Sequence, residues 1–180
     1  MQRVVSLIAS STEIVCALGL EDRLVGRSHE CDFPESVARL PVCTEPKFNV
    51  DGTSYEIDQR VKAILQEALS VYRVHADTLK QLKPDLILTQ SQCEVCAVTL
   101  RDVEEAVCDW LDARPQIVSL EPNGLSDVWA SIARVAEALG ASERVASWLV
   151  ACRTGCLPYQ SKPKRRRPGR PSHVLNGLSR

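Results

Sequence analysis

The chain has 180 residues, of which 44 % are hydrophobic and 25 % are charged, which suits one folded domain or one domain plus a tail. No run of about 18 apolar residues occurs, so a membrane-spanning helix is not expected. The net charge of −1 hides an asymmetry, because residues 154–180 carry seven basic side chains and no acidic one. The 15 basic and 23 acidic residues before them give a net charge of −8, so any affinity for nucleic acid would belong to the tail.

The first quarter of the chain reads as a strand, a short helix and a second strand. Residues 3–8 form an apolar run, and Ser10 and Glu13 then have the spacing of a capping box. Residues 23–26 read as the next strand. A secretory leader is not expected, because Arg3 is the only basic residue ahead of this segment and Glu13 interrupts its apolar character. The chain is therefore expected to be cytoplasmic as written.

A long connection and two helices follow. Residues 27–52 contain three prolines and lack a clear period, and long connections of this kind are often functional. Thr53 and Glu56 form another capping box. The helix that they open is predicted to place five apolar residues on one face: Ile57, Val61, Ile64, Leu65 and Ala68. Residues 76–83 read as a short helix that ends before a proline.

The remaining strands and helices are the most regular part of the pattern. Residues 85–89 and 116–120 are apolar strands, and Thr99 and Asp102 cap the helix between them. The helix after the last strand has a continuous apolar face, formed by Leu125, Val128, Trp129, Ile132, Val135, Ala136 and Leu139. A further helix begins at Ser142.

Four apolar strands, mostly separated by helices, predict an α/β fold with a four-stranded, mainly parallel sheet and helices on both faces. Ligands of such sheets bind beyond the carboxyl ends of the strands. Those ends are residues 9–12, 27–33, 89–96 and 121–125. The polar, sulfur-bearing stretches SHECDFP (28–34) and QSQCEVCAV (90–98) are therefore predicted to share one edge of the sheet.

Three blocks of sequence, in this order, resemble the cobalamin/iron-siderophore periplasmic-binding-protein family, and its cobalamin-binding branch most of all. They are RVVSLIASSTEIVCALGLEDRLVGRSHECDFP, LKPDLILTQSQCEVCAV and IVSLEPNGLSDVWASIARVAEALG. The resemblance covers about residues 2–153 and implies one lobe of a two-lobed class III substrate-binding protein. Such proteins hold a metal chelate between two α/β lobes joined by a long helix, and they deliver it to an ABC importer.

The resemblance implies that residues 1–141 are the N-terminal ligand-binding lobe and that 142–156 start the inter-lobe helix. Residues 157–180 resemble nothing in the family, and their prolines, basic run and few apolar residues predict a disordered basic tail. The protein is then a binding protein and not an enzyme, with no catalytic cofactor and with cobalamin or another metal chelate as its ligand. The second lobe of the family is missing from this sequence, so ligand binding is expected to be weak. Apolar residues 148–150 are expected to lie exposed and to favour self-association.

The candidate ligand-binding residues are the polar groups that follow two strand ends. They are His29, Glu30, Cys31, Asp32, Gln90, Gln92 and Cys93. An imidazole is a good partner for cobalt or for a corrin amide, and a glutamine can both donate and accept hydrogen bonds.

Several alternatives stay open at this point. His29, Cys31, Cys93 and Cys96 are residue types that bind zinc, and Cys93 with Cys96 has the spacing of a redox motif. A catalytic Cys/His pair lacks an orienting third group. The run KPKRRRPGRP would allow DNA association through the tail, although specific nucleic-acid binding is not expected.

The simplest interpretation of the cysteines is structural. Six of them have apolar or small neighbours and are expected to act as small buried hydrophobic residues: Cys16, Cys43, Cys96, Cys108, Cys152 and Cys156.

Overall fold

The computed structural model describes residues 1–66, 71–91, 98–108 and 114–153, with side chains up to residue 150. Its strands are β1 (Val4–Ser6), β2 (Leu24–Arg27), β3 (Thr44–Pro46), β4 (Tyr72–Val74), β5 (Leu86–Gln90) and β6 (Gln116–Leu120). Its helices are α1 (Ala9–Ala17), α2 (Ser54–Gln66), α3 (Ala76–Leu82), α4 (Leu100–Val107), α5 (Leu125–Ala138) and α6 (Ser142–Arg153). Two 3-10 turns are described: Glu21–Arg23 precedes β2, and Glu35–Arg39 lies within the loop that follows it.

The central sheet has four parallel strands in the order β2-β1-β5-β6, which confirms the predicted α/β fold class. Every residue of β1 and β5 is buried, as expected for strands covered on both faces. Alternate side chains of a strand point to opposite faces, and the core divides accordingly. Val4 packs in a cluster with residues of α1 and α5, whereas Val5 packs in another with residues of α3 and α4.

A second sheet, which was not expected from the sequence, joins β3 to β4 in antiparallel pairing. It adjoins the central sheet where Arg27 bridges to Val42. Each of its strands has only three residues, and neither reads as an alternating apolar segment. Its partners lie far apart in the chain, for example Thr44 and Val74, so no hairpin signal marks them.

Two of the three predicted capping boxes are confirmed. Thr99 with Asp102 and Thr53 with Glu56 each form the reciprocal hydrogen bonds of the motif. The prediction for Ser10 and Glu13 was wrong, because α1 already begins at Ala9 and its N-cap is Ile8 without a side-chain cap. The link from β1 is two residues long, which places Ser10 inside the first turn.

The predicted apolar helix faces are only partly covered. No residue of α2 is fully buried, and Leu65 is 39 % exposed, while Ala68 lies outside the described residues. The first turn of α5 is also exposed, although its later apolar residues are in the core. Among the cysteines, Cys43 is buried as expected, but Cys108 is exposed, because it follows the end of α4 instead of facing the core.

Candidate functional site

The predicted rim exists at the carboxyl edge of the central sheet. Both β2 and β5 flank β1, and Ser6 at the end of β1 pairs with Arg27 on one side and Leu88 on the other. The segments that follow β2 and β5 therefore leave the sheet at the same edge, two strand spacings or roughly 10 Å apart. The described residues of the two predicted loops, 27–33 and 89–91, share this edge.

His29 stands on the small sheet beside this edge. Its Nδ1 lies 2.8 Å from the hydroxyl oxygen of Thr44, which also accepts a hydrogen bond from the His29 backbone N–H at 3.2 Å. Its ring is 5.1 Å from that of Tyr72, and its Nε2 is 3.4 Å from the carboxylate of Glu30. One face and one nitrogen of the imidazole are thus held by the protein, while the side chain keeps 22 % of its exposure.

Burial holds the pKa of His29 below its usual value of 6.5. Glu30 acts in the opposite direction, and the positive charge of Arg27 lowers the pKa further. A neutral imidazole can bind a metal centre or exchange hydrogen bonds, and a lowered pKa keeps it neutral at physiological pH. The environment of His29 therefore favours the form that a chelate would need.

The other candidate residues divide into two levels. Glu30 and Asp32 are exposed on the rim. Cys31 and Gln90 lie beneath it, with 1 % and 8 % of their surfaces exposed. Of the predicted residues whose side chains are described, the two carboxylates and His29 are therefore accessible at the rim, whereas the Cys31 thiol and the Gln90 amide are buried.

Cys31 belongs to a buried network of hydroxyl groups at the start of α1. Thr12 Oγ1 donates to Ser6 Oγ at 2.7 Å and lies 3.1 Å from Cys31 Sγ, while Ser6 Oγ and Ser11 Oγ are 2.6 Å apart. Burial raises the pKa of the Cys31 thiol above its usual value. A neutral thiol in such a network joins β1, α1 and the loop after β2, and it supports the rim from below.

Comparison with known proteins adds the family context. No family model matches the chain. An uncharacterized ABC transporter substrate-binding lipoprotein, YvrC of Bacillus subtilis (strain 168), is 24 % identical over 164 residues, which are 91 % of this chain and 42 % of that protein. The periplasmic heme-binding protein RhuT from Roseiflexus sp. RS-1 superposes with a TM-score of 0.57 at 21 % identity, over 85 % of this chain and 46 % of that one.

The periplasmic vitamin B12-binding protein BtuF of Vibrio cholerae superposes with a TM-score of 0.52 at 16 % identity, over 85 % of this chain and 49 % of that protein. This chain has the fold of one lobe of a class III substrate-binding protein. The resemblance drawn from the sequence is thereby confirmed at the level of fold. The lobe spans about half the length of the relatives it matches. Their names describe lipoproteins or periplasmic proteins, which does not support the expectation of a cytoplasmic chain.

Part of the predicted site lies outside the described residues. Gln92, Cys93 and Cys96 fall in the segment 92–97, so the structure does not describe the sulfur pair of the metal and redox alternatives. The other two candidate metal ligands, His29 and Cys31, bond to Thr44 and to the Thr12 network respectively. Within the described ranges, no three His, Cys, Asp or Glu side chains are grouped so that they could hold a metal ion.

Two further polar groups lie on the rim, Ser91 and Glu121, and neither was among the predicted ligand-binding residues. Ser91, after β5, donates a hydrogen bond to the carboxylate of Glu121, after β6, and its hydroxyl lies 2.8 Å from that of Ser119. Glu121 directly follows the predicted strand 116–120, so the strand-end rule that selected His29 would also have selected it. Thr44 and Tyr72 could not be found in this way, because they belong to the small sheet.

One groove in the described part of the chain lies away from this rim. A groove of about 630 Å³ lies beside the end of α1 and the start of β2, with Cys16, Glu21, Asp22 and Arg39 among its lining residues. This is the amino edge of the sheet. Burial, followed by the nearby carboxylates of Glu21 and Glu13, raises the pKa of Cys16 to about 12, so its thiol is protonated at physiological pH.

No helix in the described part of the lobe has both the length and the apolar character needed to cross a membrane.

Proposed function

We propose that this lobe is the N-terminal half of a substrate-binding component that captures a metal chelate for an ABC importer. The observation that carries the proposal is the fold, which is shared with one lobe of heme-binding and vitamin B12-binding proteins. The sheet's carboxyl edge, where ligands of α/β sheets bind, carries His29, Glu30 and Asp32 on exposed or half-exposed positions. Heme, a corrinoid or an iron chelate is the proposed ligand class.

The proposed mechanism is reversible capture and involves no covalent step. His29 would offer its imidazole to the metal centre or to a polar substituent of the ligand, with Thr44 and Tyr72 holding the ring in place. The carboxylates of Glu30 and Asp32 would accept hydrogen bonds from amide substituents, as would the amide of Gln92. The lobe's role is then binding and delivery, in keeping with the names of its relatives.

One lobe covers one side of a ligand, so the expected affinity is low. Tight small-molecule sites bury most of the ligand surface, and a single rim leaves the opposite side in water. We expect a dissociation constant in the micromolar range or weaker, which corresponds to about −8 kcal/mol or less favourable. We also propose that the lobe acts outside the cytoplasm, as the lipoprotein and periplasmic relatives are named.

Absorbance titration of the purified chain with cyanocobalamin and with haemin tests the proposal. We expect saturable spectral changes for at least one of them. His29→Ala should raise the dissociation constant about tenfold, because the loss of a single polar contact corresponds to about that factor. Asp22→Asn is the matched control, since Asp22 is an exposed polar residue near the amino edge of the sheet. The proposal fails if neither millimolar cyanocobalamin nor excess haemin changes the spectra. It also fails if Asp22→Asn weakens binding as much as His29→Ala.

A further inference from the structure

The loop that carries His29 begins after Arg27 at the end of β2, and the far end of the loop hydrogen-bonds to the same residue. Arg27 ends β2, and its backbone N–H donates to the Pro41 carbonyl at 3.0 Å. Its carbonyl accepts a hydrogen bond from the Cys43 N–H at 2.8 Å, and the residue bridges to Val42. The backbone of Arg27 therefore closes residues 28–41 into a loop with its two ends side by side.

The side chain of Arg27 also holds this loop from within. Its Nη1 donates to the carbonyls of Ser28 and Cys31 at 3.0 and 3.1 Å, and its Nη2 donates to the carbonyl of Ala38 at 2.9 Å. Hydrogen bonds from a charged guanidinium to carbonyls are stronger than neutral ones. The Nε–H is buried and has no hydrogen-bond partner among the described residues.

Two of these three carbonyls frame the turn that presents the rim residues. The Cys31 N–H donates to the Ser28 carbonyl at 3.2 Å, and the Glu30 N–H donates to the Ser28 hydroxyl at 3.2 Å. His29 and Glu30 are the two central residues of this turn. Arg27 Nη1 thus bonds to the first and the last residue of the turn that displays them.

We propose that Arg27 is the positioning residue of the rim: its guanidinium fixes the turn 28–31 and so sets the place of His29 against Thr44 and Tyr72. The importance of this role for a ligand rests on the proposed function, but the placement of His29 does not. Lysine cannot replace arginine here, because one ammonium group does not reproduce a planar fork that spans three carbonyls. Arg27→Lys therefore keeps the charge and removes the geometry, whereas Arg27→Met removes both.

Proton NMR of the ligand-free chain tests the placement directly. His29, assigned by comparison with His29→Gln, should show a ring shift displaced by the neighbouring Tyr72 ring. We expect Arg27→Lys and Arg27→Met both to lose this displacement, while only Arg27→Met loses the positive charge that lowers the pKa of His29. Melting curves check that each variant is folded. Wild-type ring shifts in both folded variants would overturn the proposal, and so would the unfolding of both, which would make Arg27 a residue of general stability.

A double-mutant cycle measures the consequence for binding. With haemin as the probe, Arg27→Lys should weaken binding about tenfold in the wild-type background and have no further effect in His29→Ala. Equal losses in both backgrounds would show that Arg27 does not act through His29. If the wild-type chain binds neither haemin nor cyanocobalamin, the proposed function fails, and the NMR measurement still decides the role of Arg27.

Discussion

At the scale of single residues, Thr44 holds the candidate ligand residue in place. The residue is 1 % exposed, and its hydroxyl oxygen is within hydrogen-bond distance of both the backbone N–H and the Nδ1 of His29. An oxygen that accepts from the N–H keeps a second lone pair and its own proton, so it can serve either tautomer of the imidazole. Thr44 thereby fixes the ring without fixing which nitrogen carries the proton.

Replacing Thr44 by Val should expose the value of this contact. Valine keeps the shape but leaves the His29 N–H and Nδ1 without the hydroxyl, and a buried polar group left unpaired costs about 1–3 kcal/mol. We expect urea denaturation to show a loss of that size in the free energy of unfolding, while Thr44→Ser, which keeps the hydroxyl, should lose clearly less. Equal stability of the Val and Ser variants would contradict this account.

The rim residues were only partly predictable from the sequence, because the direction of each side chain depends on its contacts in the folded chain. The strand-end rule locates His29 and Glu30 at the edge of the sheet, but it does not say which side chains of a turn point upward. Cys31 lies below the rim because Thr12 and Ser6 on α1 and β1 provide its polar neighbours. That arrangement depends on contacts between residues 19 and 25 positions apart, which no short motif records.

At the scale of helices and strands, two threonine capping boxes open helices that differ strongly in burial. Thr99 caps α4, whose Val103 and Val107 are in the core, whereas Thr53 caps α2, which buries no side chain fully. Most helical stability in proteins comes from packing of an apolar face and not from the helix alone. The two helices therefore allow the same substitution to be made in a packed and in a loosely packed setting.

We expect Thr99→Ala to lower the free energy of unfolding by about 1 kcal/mol, the usual value of an N-cap. Thr53→Ala should lower it by less than half of that, because α2 can fray without opening the core. Urea denaturation measures both values, and hydrogen exchange should show faster exchange in α2 alone for Thr53→Ala. Equal global losses would mean that α2 is an integral part of the cooperative unit.

The central sheet was predictable because its strands follow apolar runs of the sequence. Every residue of β1 and β5 is buried, whereas β2 buries alternate residues and β6 buries its last three. The small sheet was not predictable, since Glu45 and Arg73 face each other across it as an exposed ion pair. Its formation depends on the closure at Arg27 and Cys43, which is a property of the folded chain.

At the scale of the whole lobe, helices α5 and α6 expose several large apolar side chains to solvent. Leu125, Val128 and Trp129 on α5 are 72 %, 41 % and 43 % exposed, and Val150 on α6 is 61 % exposed. The rings of Trp129 and Trp148 lie 6.1 Å apart, which joins the two helices into one apolar surface. The expected exposure of residues 148–150 is thus partial for Trp148 and Leu149 and clear for Val150.

Self-association through this α5–α6 surface remains a prediction, and it can be tested by sedimentation velocity. Contiguous exposed apolar surface favours association, and an equilibrium between monomer and dimer shifts with concentration. We expect the wild-type chain to show a rising average mass over about a hundredfold concentration range. Trp129→Lys, which places a charge in the middle of the surface, should keep the chain monomeric. Tyr55→Lys is the matched control, because Tyr55 is an aromatic residue on a different helix, α2, and is 72 % exposed. The prediction is wrong if the wild-type chain stays monomeric at every concentration. It is also wrong if Tyr55→Lys abolishes association as Trp129→Lys does.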